Sequence, residues 1–403
     1  MLTTCQNWQT VGRLQKQLDT LAQYCNQWGM SVNIGKTKVM VFRNGGPLRQ
    51  NEKFYYKGLL LEVVSFYKYL GTMFTSRLCW TLTQKTLASQ ADKAITFIKH
   101  VSTKCGGLPS KTLFELFDKM VLPILTYSCE IWGHNVHNCI EVVQSKLCKY
   151  VLGVARSTPN AAALGECGRL PISVSCKIRV IKYWLKILTM NNDRLPNASY
   201  NMMLQLDAAG RSTWATQVKQ LLSNYGFYYV WLSQPNLLEP VSFFIEFKQR
   251  VEDCAVQDWH DSICLNGRLG TYKEFKYVLA FENYLNVIVG SHFKSALARF
   301  RCSSHSLEIE LGRRHRELVE DRLCKTCQKV GSYAVEDEFH FLLSCPAYSS
   351  LRIKYLPSVY TAYPSEQNFT MLMQTTNVRV INELARYVYF AGKQRNVTLS
   401  HLI

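Results

Sequence analysis

No run of 18 apolar residues occurs anywhere in the 403-residue sequence, and Met1 to Thr20 carries no apolar core behind a basic start. Crossing a bilayer as a helix takes about 20 mainly apolar residues, so neither a membrane span nor a secretory signal is supported. The expectation is an intracellular protein, nuclear or cytoplasmic, with no membrane partner. The Asn-x-Ser/Thr sequons at Asn197, Asn368 and Asn396 then read as chance matches. Internal repeats and low-complexity tracts are missing too, which sets aside solenoids and biased linkers. Acidic residues are scarce: 29 Asp and Glu stand against 47 Lys and Arg, a net charge of +18. A polyanion is the natural partner for that excess, because Lys and Arg gain free energy by displacing counterions condensed on phosphates. Cysteine is not scarce, but its 15 copies are odd in number and scattered. They do not form a disulfide framework and read as buried small hydrophobes or metal ligands.

A hydrophobic content of 47% with 19% charged residues describes a globular chain with room for two to four domains. Leu14, Leu18, Leu21, Tyr24, Cys25 and Trp28 fall at helical spacing over residues 11–28, and Gly29 stops that helix. A β-rich passage follows: the run Val39 to Phe42 bounded by the turn Arg43-Asn44-Gly45-Gly46, then Leu59 to Val64 and Tyr67 to Phe74. From Thr81 to Leu152 the period is helical, in three stretches around Leu87 to Ile98, Leu113 to Val121 and Val142 to Val151. The joints are Gly106-Gly107-Leu108-Pro109 and His134 to Asn138. A connection over Arg156 to Pro171 leads to a helix from Ser173 to Met190 and a linker from Asn191 to Pro196. Residues 200–290 hold mixed helix candidates rich in Tyr and Phe. The fold class expected is α+β, mainly α.

The densest cluster of Cys, His and Arg lies in the last hundred residues. Cys324 and Cys327, then His340 and Cys345, make a C-x2-C-x12-H-x4-C array that suits a tetrahedral zinc ion. The close cysteines can grip one side of the ion from a tight turn, while His340 and Cys345 project from the end of a short helix. Glu336, Asp337 and Glu338 favour the start of such a helix through its macrodipole. A bland reading, an accidental cysteine pair and a surface histidine, must explain Pro346 directly after Cys345 and the basic approach of Arg299, Arg301, Arg313, Arg314 and Arg316. A redox reading of the Cys pair lacks a strand-then-helix setting. With no spare ligand position beside a base, the site reads as structural.

Several passages resemble one family. Leu14 to Phe42, with Asn33, Lys36, Thr37 and Lys38, looks like the helix and strand after the catalytic aspartates of non-LTR retrotransposon (LINE-like) reverse transcriptases. Tyr69-Leu70-Gly71 resembles their primer-grip hairpin. Leu122 to Tyr127 with Glu130-Ile131-Trp132-Gly133 resembles their thumb, and Gly165 to Pro171 the region after it. Arg301 through Leu307 to Arg313, and on to Cys345-Pro346, resembles their C-terminal zinc knuckle. The resemblance implies four regions: a small β-containing palm remnant with the primer-grip hairpin (1–75), a helical thumb bundle (76–155), a helical connection region (156–298), and a helical C-terminal region with a basic segment, the knuckle and a terminal helix (299–403).

That family's polymerase holds two magnesium ions on an early aspartate and an Asp-Asp pair. This chain has no Asp-Asp dipeptide, so Mg2+ is expected for the full-length family but has no site here. The fingers, most of the palm and any endonuclease belong to a missing N-terminal polymerase half. The resemblance makes Lys36 the lysine that protonates departing pyrophosphate, with a solvated turn lysine as the alternative. It places Tyr69, Leu70 and Gly71 at the primer end, where ordinary strand residues are the alternative. The expected function is a truncated RNA-directed DNA polymerase that grips RNA template and DNA primer or target but cannot copy. The competing reading is a non-enzymatic zinc-dependent RNA- or DNA-binding protein derived from a retroelement. A zinc hydrolase is disfavoured because no second His/Glu pair has ligand spacing.

Two further patterns bear on binding. Arg179, Lys182 and Lys186 line one face of the helix from Ser173, where a phosphate backbone can lie, and Lys85 with Lys93 and Lys146 with Lys149 stripe the thumb helices. Such stripes are also what an ordinary solvated face looks like. The eight tryptophans do not cluster with basic residues, and most read as core.

Overall fold

A computed structural model describes residues 11–43, 46–50, 52–329 and 331–400. Residues 1–10 with Trp8, and Asn44 and Gly45 of the expected turn, lie outside them. The chain divides into two compact units, Met1–Ser89 and Gln90–Ile403.

In the first unit, helix α1 (Val11–Gln27) ends at Gly29, whose φ of +61° the missing side chain permits. Leu14, Leu18 and Leu21 lie on the face of α1 that covers Val39, Phe54, Tyr56 and Leu61. The strands are short: β1 (Lys38–Val39), β2 (Tyr55–Tyr56), β3 (Leu59–Leu60), β4 (Glu62–Val63), β5 (Phe66–Tyr69) and β6 (Thr72–Thr75). They pair as β1 with β4 in parallel and as two hairpins, β2–β3 and β5–β6. Both hairpins turn on two residues of positive φ ending in glycine, Lys57-Gly58 and Leu70-Gly71, as the right-handed strand twist favours. The expected strand Leu59–Val64 is split at Leu61, which turns inward into the core and hands the chain from β3 to β4.

Helix α2 (Thr81–Lys104) leads into a helical second unit. Helix α3 (Ser110–Leu116) runs through a π-turn, Phe117–Val121, into α4 (Leu122–Leu125). Pro123 cannot donate a backbone hydrogen bond, which fits the local widening of that helix. After α5 (Cys129–Trp132) and α6 (Asn138–Leu152), the expected irregular connection holds a short helix, α7 (Asn160–Glu166), started by Pro159. Helix α8 (Ile172–Leu188) is where the apolar period put it. Its first free amides, Ile172 and Ser173, donate to the two oxygens of Glu141 on α6 at 2.9 and 2.8 Å, so a carboxylate from a neighbouring helix supplies the cap.

Residues 195–290 form α9 (Leu195–Ala208), α10 (Trp214–Asn224), α11 (Tyr228–Leu232), α12 (Pro240–Cys264) and α13 (Tyr284–Val287). Helices α8 to α12 share an aromatic core: Trp184 stacks on Trp231 with ring centroids 6.1 Å apart, and Phe243, Phe247 and Tyr200 close around them. Helices α14 (Ser291–Arg301), α15 (Glu308–His315), α16 (Lys325–Gln328), α17 (Ser349–Tyr355), α18 (Ser358–Thr361), α19 (Glu366–Met373) and α20 (Val378–Ser400) complete the chain, with α20 packed on α14 and α17. The fold is α+β and mainly α, as expected. Among the described residues all cysteines are free thiols, and no helix is long and apolar enough to cross a membrane. Trp132, Trp184, Trp231 and Trp259 are core residues; Trp28 is the exposed exception.

Candidate metal centre and basic surfaces

Cys324, Cys327, His340 and Cys345 come together, all four buried, with their ligand atoms within 4.8 Å of one another. Cys327 Sγ lies 3.3 Å from His340 Nε2 and 3.6 Å from Cys345 Sγ. Around a tetrahedral zinc ion two sulfurs stand about 3.8 Å apart and a sulfur and an imidazole nitrogen about 3.6 Å. The group can therefore hold a metal ion of that size. With four soft or borderline donors converging, no position is left for a reacting water.

Local structure explains the convergence. Cys324 stands just before the single turn of α16 and is fixed by its amide, which donates to Ala334 O at 2.8 Å, while Cys327 lies within that turn. His340 begins a π-turn, His340–Ser344, closed by the Cys345 amide donating to His340 O at 2.7 Å. Residues five apart on an α-helix would point about 140° apart, and the wider π-turn narrows that angle so both side chains face the cysteine pair. The Cys345 side chain, with His340 beside it, draws the Cys324 thiol down to about 3, while Cys324 and burial push the Cys345 thiol up, so Cys324 is the group poised to meet a cation as thiolate.

The three acids before His340 do not act alike. Asp337 alone caps the turn, accepting from the His340 amide at 2.7 Å. Glu336 and Glu338 are buried instead: Glu336 takes a two-pronged bond from Arg395 of α20 at 2.7 and 2.6 Å, and Glu338 accepts from Thr271 and pairs with His305, each at 2.9 Å. The expected macrodipole role is corrected for those two, because neither can sit in solvent at a helix start. Arg395 also reaches Glu308, and Arg352 donates to the carbonyls of Leu342 and Cys345. The site is thus braced by two arginines that sequence reasoning did not single out.

The basic residues divide sharply. Arg179, Lys182 and Lys186 face solvent on α8, and Arg299 and Arg314 are exposed. Arg313 is half-buried and paired with Glu310 at 2.7 Å. Arg301 is buried, with bonds to Glu166 at 2.7 and 3.1 Å, to Glu282 at 3.2 Å and to Met373 O at 2.6 Å. Its expected role as a nucleic-acid contact is corrected: an arginine held on every side cannot present its charge to a phosphate. Of the thumb stripe, Lys85 and Lys93 are exposed, Lys146 pairs with Asp92 at 2.6 Å and Lys149 donates to Arg156 O at 2.8 Å. In the first unit, Lys36 is exposed at the end of a 3-10 turn, Ile34–Lys36, whose cap Asn33 accepts from the Lys36 amide at 3.1 Å, and the Thr37 hydroxyl donates to Asn33 O. Tyr69 ends β5, and Leu70 and Gly71 form the exposed turn of its hairpin.

The Gly165–Pro171 passage proves to be a structural joint. A side chain at Gly165 would meet Tyr272 and Trp259, and one at Gly168 would meet the Phe281 backbone at 2.2 Å. Burial works to raise the Glu166 carboxyl, but the Arg301 guanidinium and Lys276 outweigh it and hold it below the usual carboxylate range. Arg169 forks onto Asp118 and lies over Phe114 and Phe117.

Over 147 residues, 34% of this chain, the sequence is 29% identical to a transposon-derived protein of Caenorhabditis elegans. The chain spans about half the length of that curated relative. No family model and no solved structure matches.

Proposed function

We propose that this chain is the C-terminal part of a non-LTR retrotransposon reverse transcriptase, one that grips nucleic acid, is braced by a structural zinc ion on Cys324, Cys327, His340 and Cys345, and does not itself polymerise. The observation that carries the reading is the assembly of the most demanding element of the resemblance. Four ligands spread from Cys324 to Cys345 meet in one buried cluster. The likeness to a transposon-derived protein points the same way. Catalysis is set aside on the sequence: metal-assisted phosphoryl transfer needs carboxylates to hold two cations, and the chain has no Asp-Asp pair. Lys36 then has a general-acid role only beside a polymerase half supplied from elsewhere.

The test is filter binding of zinc-loaded protein to a structured RNA and a primer-template. Binding should fall steeply as salt rises, because each phosphate contact releases counterions. Undetectable or salt-independent binding contradicts the reading. The alternative, a retroelement-derived binding protein with no polymerase partner, is favoured by the same missing Asp-Asp pair. Coding sequence upstream of Met1 separates the two: an in-frame Asp-Asp turn there supports the polymerase.

A further inference from the structure

The loop from Gly153 to Thr158, between α6 and α7, gathers cations from three elements. Arg299 of α14 donates through Nε to Gly153 O at 2.7 Å, Lys149 of α6 to Arg156 O at 2.8 Å, and Arg268 to Ser157 O at 2.8 Å. Arg156 itself is exposed in the loop. Burial and then the nearby Arg268 charge lower the Lys149 ammonium, so cations meeting at this loop repel one another. Arg268 is neutralised by Glu310 at 2.9 Å. Among the described residues no ion pair to a carboxylate is formed by Lys149, Arg156 or Arg299.

Each bond uses one donor and aims the rest. The Lys149 ammonium keeps two N–H groups and the Arg299 guanidinium four. The cluster extends along the surface: burial and then the Lys146 charge lower the Lys99 ammonium, with Arg156 adding to it, and Arg313 and Arg314 act on Arg268 in the same sense. Gly153 holds the loop in place, at φ +66° and with room for no side chain against Ser295 of α14.

We propose that the Gly153–Thr158 loop, with Lys149, Arg156 and Arg299, is a phosphate-binding notch that takes the phosphodiester backbone of a nucleic acid without reading its sequence. The inference rests on the nucleic-acid reading above and assigns it to this loop rather than to the Arg179, Lys182, Lys186 face of α8. A partner with closely spaced phosphates relieves the repulsion among unpaired cations, and the side chains already fixed on carbonyls lose little freedom on binding.

The experiment compares two triple variants of the full chain, Lys149→Gln/Arg156→Gln/Arg299→Gln and Arg179→Gln/Lys182→Gln/Lys186→Gln, by fluorescence anisotropy with a labelled RNA hairpin and a DNA primer-template across a salt series. The loop variant should bind at least roughly tenfold more weakly in low salt and lose about two to three from the slope of log K against log salt. The α8 variant should change little. Arg156→Lys/Arg299→Lys should keep the slope, separating charge from the bond that the Arg299 guanidinium gives the Gly153 carbonyl. A loop variant as tight as wild type, with the α8 variant weakened, overturns the inference and leaves the nucleic-acid reading standing. No binding by wild type overturns that reading and the inference with it. Tight binding of wild type to phosphatidylserine vesicles but not to either nucleic acid also overturns both.

Discussion

Arg299 and Arg301 sit two residues apart on one helix and do opposite things. Arg299 points outward, bonded once, to a loop carbonyl; Arg301 points inward to two glutamates and a carbonyl. An α-helix turns about 100° per residue, so a separation of two places the side chains on nearly opposed faces. Composition counts both as basic. Position makes one a surface charge and the other a strut between α7, α14 and the end of α19.

Removing the strut should have the largest effect. Arg301→Ala leaves Glu166 buried without its partner, and loss of one member of a buried pair typically costs about 3–5 kcal/mol; urea denaturation should show a lower midpoint and a loss of unfolding free energy of that size. Arg395→Ala should behave alike by exposing Glu336 and Glu308 to the same loss, and an unshifted midpoint for either would break the contrast. Gly168→Ala comes next, since φ +58° and the Phe281 backbone leave no room for a side chain, at a cost of at least about 1–3 kcal/mol.

Acid sharpens the comparison. Glu166 has its carboxyl held below the ordinary glutamate value of 4.5, so its contribution is present above that pH and is lost as pH falls through its lower folded value. Stability measured from pH 5 downward should fall in wild type, and less steeply in Glu166→Gln. The smallest effect belongs to Arg299→Ala, whose exposed side chain should change stability by less than roughly 0.5–1 kcal/mol while nucleic-acid binding weakens. A large loss of stability there would show that the outer arginine is a strut as well.

Much of this was legible. Helical periods located α1, α2, α6 and α8, and ligand spacing located the four residues that can hold a metal ion, because both depend on local sequence distance. The strut was legible in part: Leu297 and Arg301 are four apart with Phe300 beside them, which puts Arg301 on the apolar face of α14. Its partner Glu166 lies 135 residues away, and no local pattern reveals such a pairing. Glu336 and Glu338 misled for the same reason, as Arg395 and His305 reach them from distant segments. The π-turn at His340 was not legible either, since residues five apart do not share a face of an α-helix. The aromatic core of residues 195–290 escaped periodic reading because five helices each contribute only a few of its rings.

If Cys324, Cys327, His340 and Cys345 hold a metal ion, that ion ties the C-terminal region together. Elemental analysis of protein purified without chelators tests this directly, run on wild type and Cys345→Ser. One zinc per wild-type chain, lost in the variant along with cooperative thermal unfolding, is the predicted result; zinc-free, fully stable wild type, or a variant that keeps its zinc and its melting temperature, would contradict it.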